Sequence, residues 1–386
     1  MEKYDYIITG AGAAGLSLLV HMIHSGKFSE KKILLLDRLP KDKNDRTWCF
    51  WETEPGLFEP VVFRKWNQLW FHGPDGQSAL HDIHPYQYKL IRGIDFYNYC
   101  FHLISQHSNI SVEYGPVENI TDDGNETCIT FNGRKIYAEY IFNSIIFEQP
   151  ALQKNNYLLL QHFKGWFITT KKNLFNPEEP ILMDFRVEQD KGTTFVYVMP
   201  FSHHEALVEY TLFSDAKLKD SEYDDALGKY CSLHLGLKDD EYEISYEESG
   251  TIPMTNYSFP GRKNNIINIG SAGGQTKASS GYTFKFIQKN SKELVDSLMH
   301  NRSLQISSSP ARFNFYDSIL LNILSRDRLP GSEVFTRLFT NNEMREVMKF
   351  LDNETSIGED FKLIRKLPRN QFLKATWSHM FNHGLA

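Results

Sequence analysis

The stretch YDYIITGAGAAG at residues 4–15 decides the fold of this chain of 386 residues. Residues 4–9 predict a short buried β-strand, and the apolar run 16–23 predicts a helix. The turn between them consists of Gly10, Ala11, Gly12, Ala13, Ala14 and Gly15. A second predicted strand, residues 32–36, ends at Asp37. This order of strand, glycine-rich turn, helix, strand and acid predicts a βαβ unit that binds a dinucleotide.

Each part of the unit has a physical role in such binding. Glycines let the backbone approach a pyrophosphate closely, and the first turn of the helix offers unpaired N–H groups with partial positive charge. Asp37 can accept hydrogen bonds from the hydroxyls of an adenosine ribose, and we assign the neighbouring Arg38 to the same cofactor site. Glycines also occur in turns for purely local backbone reasons, so the prediction depends on the complete context.

A second glycine-rich turn follows another predicted strand, residues 266–269. It consists of Gly270, Ser271, Ala272, Gly273 and Gly274. FAD is a long molecule that needs protein contacts at both its adenosine end and its flavin end, so a second turn favours FAD over NAD as the cofactor. A simple structural loop is the alternative interpretation of this turn.

The composition excludes several other classes of function. A formal net charge of -6 argues against a general affinity for nucleic acid. The four cysteines lie far apart without a C-x-x-C pair, so we expect neither a metal site nor a disulfide framework. The N-terminus does not resemble a secretory signal, and no run of about 18 apolar residues predicts a transmembrane helix. We therefore expect a cytoplasmic protein that is soluble or lies on a membrane surface.

The pattern of elements predicts an α/β fold with three parts. Residues 195–199 and 206–211 are the clearest strands of a second, antiparallel layer, and the chain beyond 283 is mostly helical by its spacing. The predicted core is an FAD-binding Rossmann-type domain, of the glutathione-reductase-like or aromatic-hydroxylase-like kind, with an antiparallel substrate domain interleaved into it. We expect the FAD domain at 1–70, 90–150 and 255–300, the substrate domain at 71–89 and 151–254, and a helical C-terminal region at 301–386.

An aromatic cluster, DRTWCFWE at residues 45–52, contains two of the six tryptophans of the chain. A solvated loop favours Gly, Pro, Asn, Asp and Ser and has no reason to carry such a run. The segment therefore meets an apolar surface. A ligand pocket and a hydrophobic plug between domains explain it equally well.

Several stretches together resemble the lycopene cyclase family of carotenoid biosynthesis. The resemblance covers about residues 1–300, in the order and at the spacings of the family. Its motifs are DRTWCFWE at 45–52, MDFR at 183–186 with FVYVMPFS at 195–202 and LVEYT at 207–211, GTIPM at 250–254, and GSAGGQTKASSGYTF at 270–284.

This resemblance implies an isomerase, or intramolecular lyase, that works without net redox change. Protonation of the terminal double bond of a ψ end group gives a tertiary cation, the neighbouring double bond closes a six-membered ring, and loss of a proton leaves a β-ionone ring. Lycopene or another ψ-ended carotenoid is the implied substrate, with beta-carotene formed via gamma-carotene. The implied cofactor is reduced FAD, with NAD(P)H as its source of electrons.

The implied acid is Glu209, in LVEYT. A carboxylic acid that protonates an alkene needs an apolar site, which raises its pKa and keeps it protonated. The alternative is an outward-facing strand residue, since every second side chain of a strand points away from the core. Asp184, in MDFR, is a second candidate that positions Glu209 or accepts the proton, or else an ordinary ion-pair partner of Arg186. Many family members have a second acid after the glutamate, whereas this chain has Tyr210.

This reaction gives the aromatic cluster a chemical role, because π faces and a reduced flavin can stabilise a carbocation. We assign Trp48, Phe50, Trp51, Gly281 and Tyr282 to the substrate pocket. Arg46 is expected near an anionic flavin.

A carotenoid dissolved in a membrane also implies peripheral contact of the enzyme with the membrane surface. Residues 361–367 mix apolar and basic side chains as interfacial helices do, although an ordinary amphipathic helix packed on the body has the same pattern.

Two rival functions remain open at this point. One is an FAD-dependent monooxygenase or reductase that acts on an apolar isoprenoid, because fold alone does not fix chemistry. Such enzymes often carry Asp after the glycine of the second turn, where this chain has Ser271. The other is a non-catalytic flavin-binding or carotenoid-carrier protein, which has no need of a buried acid.

Overall fold

The structure is a computed structural model that describes residues 2–147, 151–305 and 309–383. Residues 148–150 and 384–386, at the ends of two of the expected domain ranges, lie outside the described part. The first strands are β1 Lys3–Thr9, β2 Ile33–Asp37, β3 Thr47–Glu52, β4 Arg64–Trp66, β5 Gln68–His72, β6 Ser78–Asp82, β7 Gln87–Arg92, β8 Ile110–Tyr114 and β9 Val117–Asp122. The later strands are β10 Thr127–Phe131, β11 Arg134–Asn143, β12 Leu158–Thr170, β13 Ile181–Asp184, β14 Thr193–Pro200, β15 Glu205–Ser214, β16 Tyr242–Thr255, β17 Arg262–Lys263 and β18 Ile266–Asn268. The helices are α1 Ala13–Ser25, α2 Gly93–Ser105, α3 Asp220–Leu233, α4 Phe284–Met299, α5 Ala311–Ser325, α6 Gly331–Thr340, α7 Met344–Leu351, α8 Ile357–Ile364 and α9 Arg369–His383.

The first sheet is the expected nucleotide-binding layer. Its eight strands follow the order β17-β18-β11-β1-β2-β8, with β10 and β9 extending from β11. Strand β1 pairs in parallel with both β2 and β11, and β11 pairs in parallel with β18. The apolar strand predicted around residue 140 therefore returns to this sheet. Both glycine-rich turns follow parallel strands of the same sheet, so they lie at the same edge.

The second sheet has seven strands in the order β16-β12-β15-β14-β13-β5-β6. Its pairs are antiparallel except β13 with β5. One face packs on α3 through a core that includes Val196, Val208 and Tyr230. The other face contributes Tyr197 and Leu207 to a core shared with the C-terminal helices. Side chains alternate along a strand, so these two faces have separate tasks.

The aromatic cluster forms β3 of a third sheet, ordered β3-β7-β4. This strand is held between the two larger sheets, because its two faces belong to two different apolar cores. The C-terminal part is helical from α4 to α9, so the predicted fold class is confirmed. None of the described helices is long and apolar enough to cross a membrane.

Candidate active site

A cavity of about 480 Å³ lies between the two glycine-rich turns and the seven-stranded sheet. The first turn contributes Gly12, Ala13 and Ala14, and the second contributes Gly270 and Ser271. The sheet contributes Glu209, from the predicted acid motif. The structure thus brings together motifs that stand far apart in the sequence.

The first turn has the shape of a phosphate cradle. A Cβ atom on Gly15 would lie 2.0 Å from the carbonyl oxygen of Gly10, so close packing of helix on turn requires glycine there. A Cβ on Gly12 would meet nothing within 4 Å, so this glycine faces open space. Helix α1 has no side-chain cap and no acid in its first turn. Its free N–H groups and the space above Gly12 fit a pyrophosphate.

The second turn packs against the first. Gly270 has φ +60, and a Cβ there would lie 2.7 Å from the Cβ of Ala14. Gln161 and Ser280, both buried, line the same cavity with side-chain oxygens that have no hydrogen-bond partner among the described residues. Buried polar atoms normally have partners. These two therefore fit the polar edge of a bound flavin ring.

The remaining cofactor residues have different positions. Asp37 accepts the backbone N–H of Ala11 at 2.6 Å, which ties the end of β2 to the turn. Arg38 is exposed and does not line the cavity, so its assignment to the cofactor site is not supported by its position. Arg46 does line it, and its guanidinium donates to the backbone oxygen of Ser249 at 3.3 Å. Gly273 and Gly274 line a separate cavity of about 350 Å³, and the side chain of Ala272 is buried.

The central feature of the cavity is a pair of carboxyl side chains, Glu209 and Glu248, that line it together and lie close enough to change each other's pKa. They belong to β15 and β16, which lie on opposite sides of β12. In the register of the sheet, both glutamates stand opposite Gly165. A Cβ on Gly165 would lie 3.4 Å from the Cβ of Glu209 and 3.4 Å from the Cγ of Glu248. Because glycine has no side chain, the two acids can meet across the middle strand.

The surroundings raise the pKa of both carboxyls. Burial raises the pKa of Glu209 well above the usual range of a carboxyl, and the negative charge of Glu248 raises it further. A hydrogen bond from the Thr211 hydroxyl to Glu209, 3.0 Å long, acts in the opposite direction. Burial also raises the pKa of Glu248 to about 7, against the hydrogen bond from the Thr47 hydroxyl at 2.7 Å. Burial and the neighbouring carboxyl thus both favour the protonated form of Glu209.

Three tyrosines stand beside the acids. Tyr88, Tyr197 and Tyr282 line the cavity together, and Tyr197 lies opposite Glu209 in the sheet. Burial raises the pKa of all three hydroxyls well above the usual tyrosine range, so they stay neutral. Cys49 lines the cavity beside them.

Only the first part of the aromatic cluster, residues 45–49, lines the cavity. Trp48 lines it, with its ring 5.1 Å from that of Phe96. Phe50 is buried against Phe284 at 4.6 Å, and Trp51 is buried behind Tyr282 at 4.6 Å. The indole N–H of Trp51 donates to Asp352 at 2.7 Å. The expectation that all three aromatic residues line the pocket is thus wrong for Phe50 and Trp51, which form the packed core suggested by the plug alternative.

Asp184 also requires a correction. It is fully buried on the opposite side of the sheet, where it accepts two hydrogen bonds from the Arg186 guanidinium and one from the Tyr230 hydroxyl at 2.7 Å. Arg186 and Tyr230 hold the pKa of Asp184 below its usual value against the effect of burial. Tyr230 belongs to α3, whereas Glu209 points to the other face. Asp184 is therefore an ion-pair partner and does not position Glu209.

The sequence prediction missed Glu248, Gly165 and the tyrosines at 88 and 197. Glu248 stands two residues before GTIPM, and Tyr197 lies inside FVYVMPFS, so the motifs marked the right strands without identifying the acting side chains. Of the predicted pocket residues, Gly281 and Tyr282 do line the cavity.

Comparison with solved structures shows the fold. A geranylgeranyl bacteriochlorophyll reductase-like protein from Thermoplasma acidophilum has 13% sequence identity and a TM-score of 0.62, with 97% of this chain and 98% of that chain covered. A flavoprotein/dehydrogenase from Cytophaga hutchinsonii has 12% identity and a TM-score of 0.64, with 99% and 100% covered. The p-nitrophenol 4-monooxygenase of Pseudomonas putida has 12% identity and a TM-score of 0.60, with 95% and 97% covered. The fold is therefore that of the Rossmann-type flavoproteins.

Comparison with curated sequences is more specific. A lycopene beta-cyclase of Pantoea ananas is 23% identical over 266 residues, which are 65% of this chain and 63% of that protein. The chain thus aligns with less than two thirds of the length of this relative. The family model described as "Lycopene cyclase protein" matches residues 5–376, which is nearly the whole chain. The chain therefore belongs to the lycopene cyclase family.

Proposed function

We propose that the protein is a lycopene beta-cyclase, which converts the ψ end groups of lycopene to β-ionone rings and gives beta-carotene via gamma-carotene. One observation carries the proposal. Glu209, whose pKa is raised well above the usual carboxyl range by burial, lines the same cavity as the two glycine-rich turns, with a second carboxyl, Glu248, beside it across Gly165. An acid kept neutral at pH 7 by its surroundings is what alkene protonation requires.

The pair can supply both proton transfers of the reaction. Glu209 gives its proton to the terminal carbon–carbon double bond, which leaves a tertiary cation on the substrate and a carboxylate on the protein. The next double bond attacks the cation and closes the ring. The pair now holds a free carboxylate, which accepts the proton that the ring loses. The protein thus returns to its starting protonation state, and the substrate is neither oxidised nor reduced.

The walls of the cavity protect the cation. Neutral tyrosines at 88, 197 and 282 and the indole of Trp48 offer π faces that attract positive charge. Because their hydroxyls do not ionise, these tyrosines do not compete with the carboxyls as bases. Apolar neighbours such as Met199 and Leu207 keep water, which would trap the cation as an alcohol, out of the cavity.

The residues at both turns fit FAD. The open space at Gly12 and the uncapped start of α1 would hold the pyrophosphate, and Gln161, Ser280 and Arg46 would meet the flavin end. When bound in reduced form, the flavin would supply an electron-rich face beside the reacting end of the polyene. We propose NAD(P)H as its source of electrons. We propose that the eight-stranded sheet, which carries the two turns, binds the cofactor and that the seven-stranded sheet, which carries Glu209, binds the substrate.

The substrate is dissolved in membranes, so the protein would act as a peripheral protein on the cytoplasmic membrane surface. Support comes from α8 and α9, which carry large apolar side chains at the surface: Ile357, Phe361, Leu373, Trp377 and Met380. Exposed basic residues stand among them, at Lys362, Arg365 and Arg369. Such a mixture suits the interface of an anionic bilayer.

Expression in bacteria that accumulate lycopene, followed by pigment chromatography, tests the proposal. We expect beta-carotene with gamma-carotene as the intermediate, and unchanged lycopene with the Glu209→Gln variant, although that variant still binds flavin. Unchanged lycopene in the presence of soluble, flavin-loaded wild-type protein would exclude a cyclase. An oxygenated or hydrogenated product would instead identify the monooxygenase or reductase that shares this fold.

A further inference from the structure

A further cavity of about 500 Å³, the C-terminal cavity, lies among the C-terminal helices. All five helices from α5 to α9 contribute to its wall. Most of the lining is apolar and includes Leu320, Val334, Leu338, Ile364 and Phe372, whereas Asp317 and Thr376 are among its polar residues. Nothing in the chemistry described above uses this space. Interiors are normally packed without voids of this size, so a cavity lined by large apolar side chains indicates a ligand.

One turn of the chain, residues 277–281, contributes to the walls of both the C-terminal cavity and the active-site cavity. Ser279 lines the C-terminal cavity, whereas Ser280 and Gly281 line the active-site cavity. The turn is closed by the hydrogen bond from the N–H of Gly281 to the carbonyl of Lys277, at 2.8 Å. Phe335, on the wall of the C-terminal cavity, belongs to the same apolar core as Tyr197 and Leu207 of the active site. The two spaces are thus neighbours within one apolar core.

The other end of the C-terminal cavity reaches the surface. Phe361 and Leu373 line it and are nevertheless 69% and 56% exposed, so it opens between α8 and α9. Arg365 and Arg369 stand at the same opening and are exposed. The opening therefore lies on the apolar and basic surface that is proposed above to meet the membrane.

We infer that the C-terminal cavity holds the part of the polyene that is not reacting. This inference rests on the proposed function and identifies a second binding site for its substrate. Ligand clefts measure about 300–1,000 Å³, and the active-site cavity must already take a flavin ring and one end group. The remainder of a long, unbranched polyene needs an apolar space next to that site. The C-terminal cavity supplies it, with an opening towards the bilayer through which the chain enters.

Two substrates separate this role from a general structural one. The first is lycopene in detergent micelles. The second is a synthetic polyene with one ψ end group that lacks the distal half of the chain. We would replace Thr376, a partly buried residue of the cavity wall, with Trp, and use Asn370→Trp as the matched control, since Asn370 is an exposed residue of the same helix outside the cavity. Ile364→Trp fills the same space from α8, so it provides the test if Thr376→Trp does not fold.

Filling the cavity should lower kcat/KM for lycopene by roughly tenfold or more, mainly through KM, because binding of the remote part of the substrate is lost. The short polyene should be converted within about twofold of the wild-type rate. Asn370→Trp should change neither value. Equal losses with both substrates, or no loss with lycopene, would overturn the inference, as would a phospholipid that remains in the cavity during turnover. If the wild-type protein converts neither substrate, the proposed function fails. Binding of lycopene, measured by quenching of tryptophan fluorescence, would then still test the inference. Only Thr376→Trp and Ile364→Trp, which fill the cavity, should weaken this binding.

Discussion

Glu209 and Glu248 stand on strands that are not neighbours, yet their side chains approach each other across β12, because the residue between them is Gly165. Any side chain at this position would occupy the space in which the acids meet. The chain has no second acid directly after Glu209, and the fold supplies one from another strand instead.

Replacement of Gly165 should separate the acids. An added Cβ would lie 2.7 Å from the Cδ1 of Leu207, and the branches of a valine would enter the space between the carboxyls. We expect Gly165→Val to destabilise the fold by only about 1–3 kcal/mol, the usual effect of overpacking, while cyclisation falls by roughly a hundredfold. Thermal unfolding and turnover would be measured together, with Thr169→Val, an exposed position of the same strand, as control. An active Gly165→Val enzyme would show that the acids work independently.

Glu248→Gln should shift the pH dependence of kcat. Glu209 acts in its protonated form, so activity is lost as the pH rises through its pKa. The negative charge of Glu248 is one of the causes that raise this pKa, after burial. A neutral amide removes that contribution, and we expect the alkaline limb of the profile to move to lower pH. The matched control is Glu247→Gln, which removes an equal charge from a residue that is paired with Lys164 at 3.1 Å. A profile that shifts equally in both variants would contradict the local coupling.

The carboxyl of Glu209 should reduce the stability of the folded protein at alkaline pH. The pKa of Glu209 is higher in the folded than in the unfolded protein, so its contribution to stability is fully present below the usual carboxyl range and is lost as the pH rises through the folded value. Glu209→Gln cannot ionise. We therefore expect its Tm to exceed that of the wild type increasingly from mildly acidic to alkaline pH. Unfolding curves measured across this range with equal flavin content provide the check, and a constant difference in Tm would refute the assignment.

Trp48 and Trp51 should behave differently on replacement. Trp51→Phe removes the hydrogen bond to buried Asp352, and we expect a loss of about 1–3 kcal/mol in the free energy of unfolding. Trp48→Leu keeps an apolar side chain but removes a π face from the cavity, so turnover should fall while stability changes little. Chemical unfolding and pigment turnover on both variants separate these effects. The opposite pattern would mean that Trp51 is the residue that meets the cation.

The sequence predicts most strongly where one local rule determines the structure. Glycines at a turn between a strand and a helix identify the nucleotide cradle, because only a bare backbone permits the contact between Gly10 and Gly15. It is harder to predict from sequence which face of a sheet a strand residue points to. Asp184 and Glu209 both belong to recognised motifs, and only the pairing of strands places them on opposite faces of one sheet. The position of Glu248 is harder still to predict, because its approach to Glu209 depends on the register of two strands against β12.

The origin of the proton tests the central claim most directly. Purified, flavin-loaded protein under reducing conditions would be given lycopene micelles in D₂O, and the product would be analysed by mass spectrometry. The acid takes up a deuteron from the solvent before each turnover and delivers it to carbon in the first step, so we expect one deuterium for each β-ionone ring formed. Glu209→Gln should form no ring and incorporate no deuterium. A cyclised product without deuterium, or wild-type protein that leaves lycopene unchanged, would contradict the account.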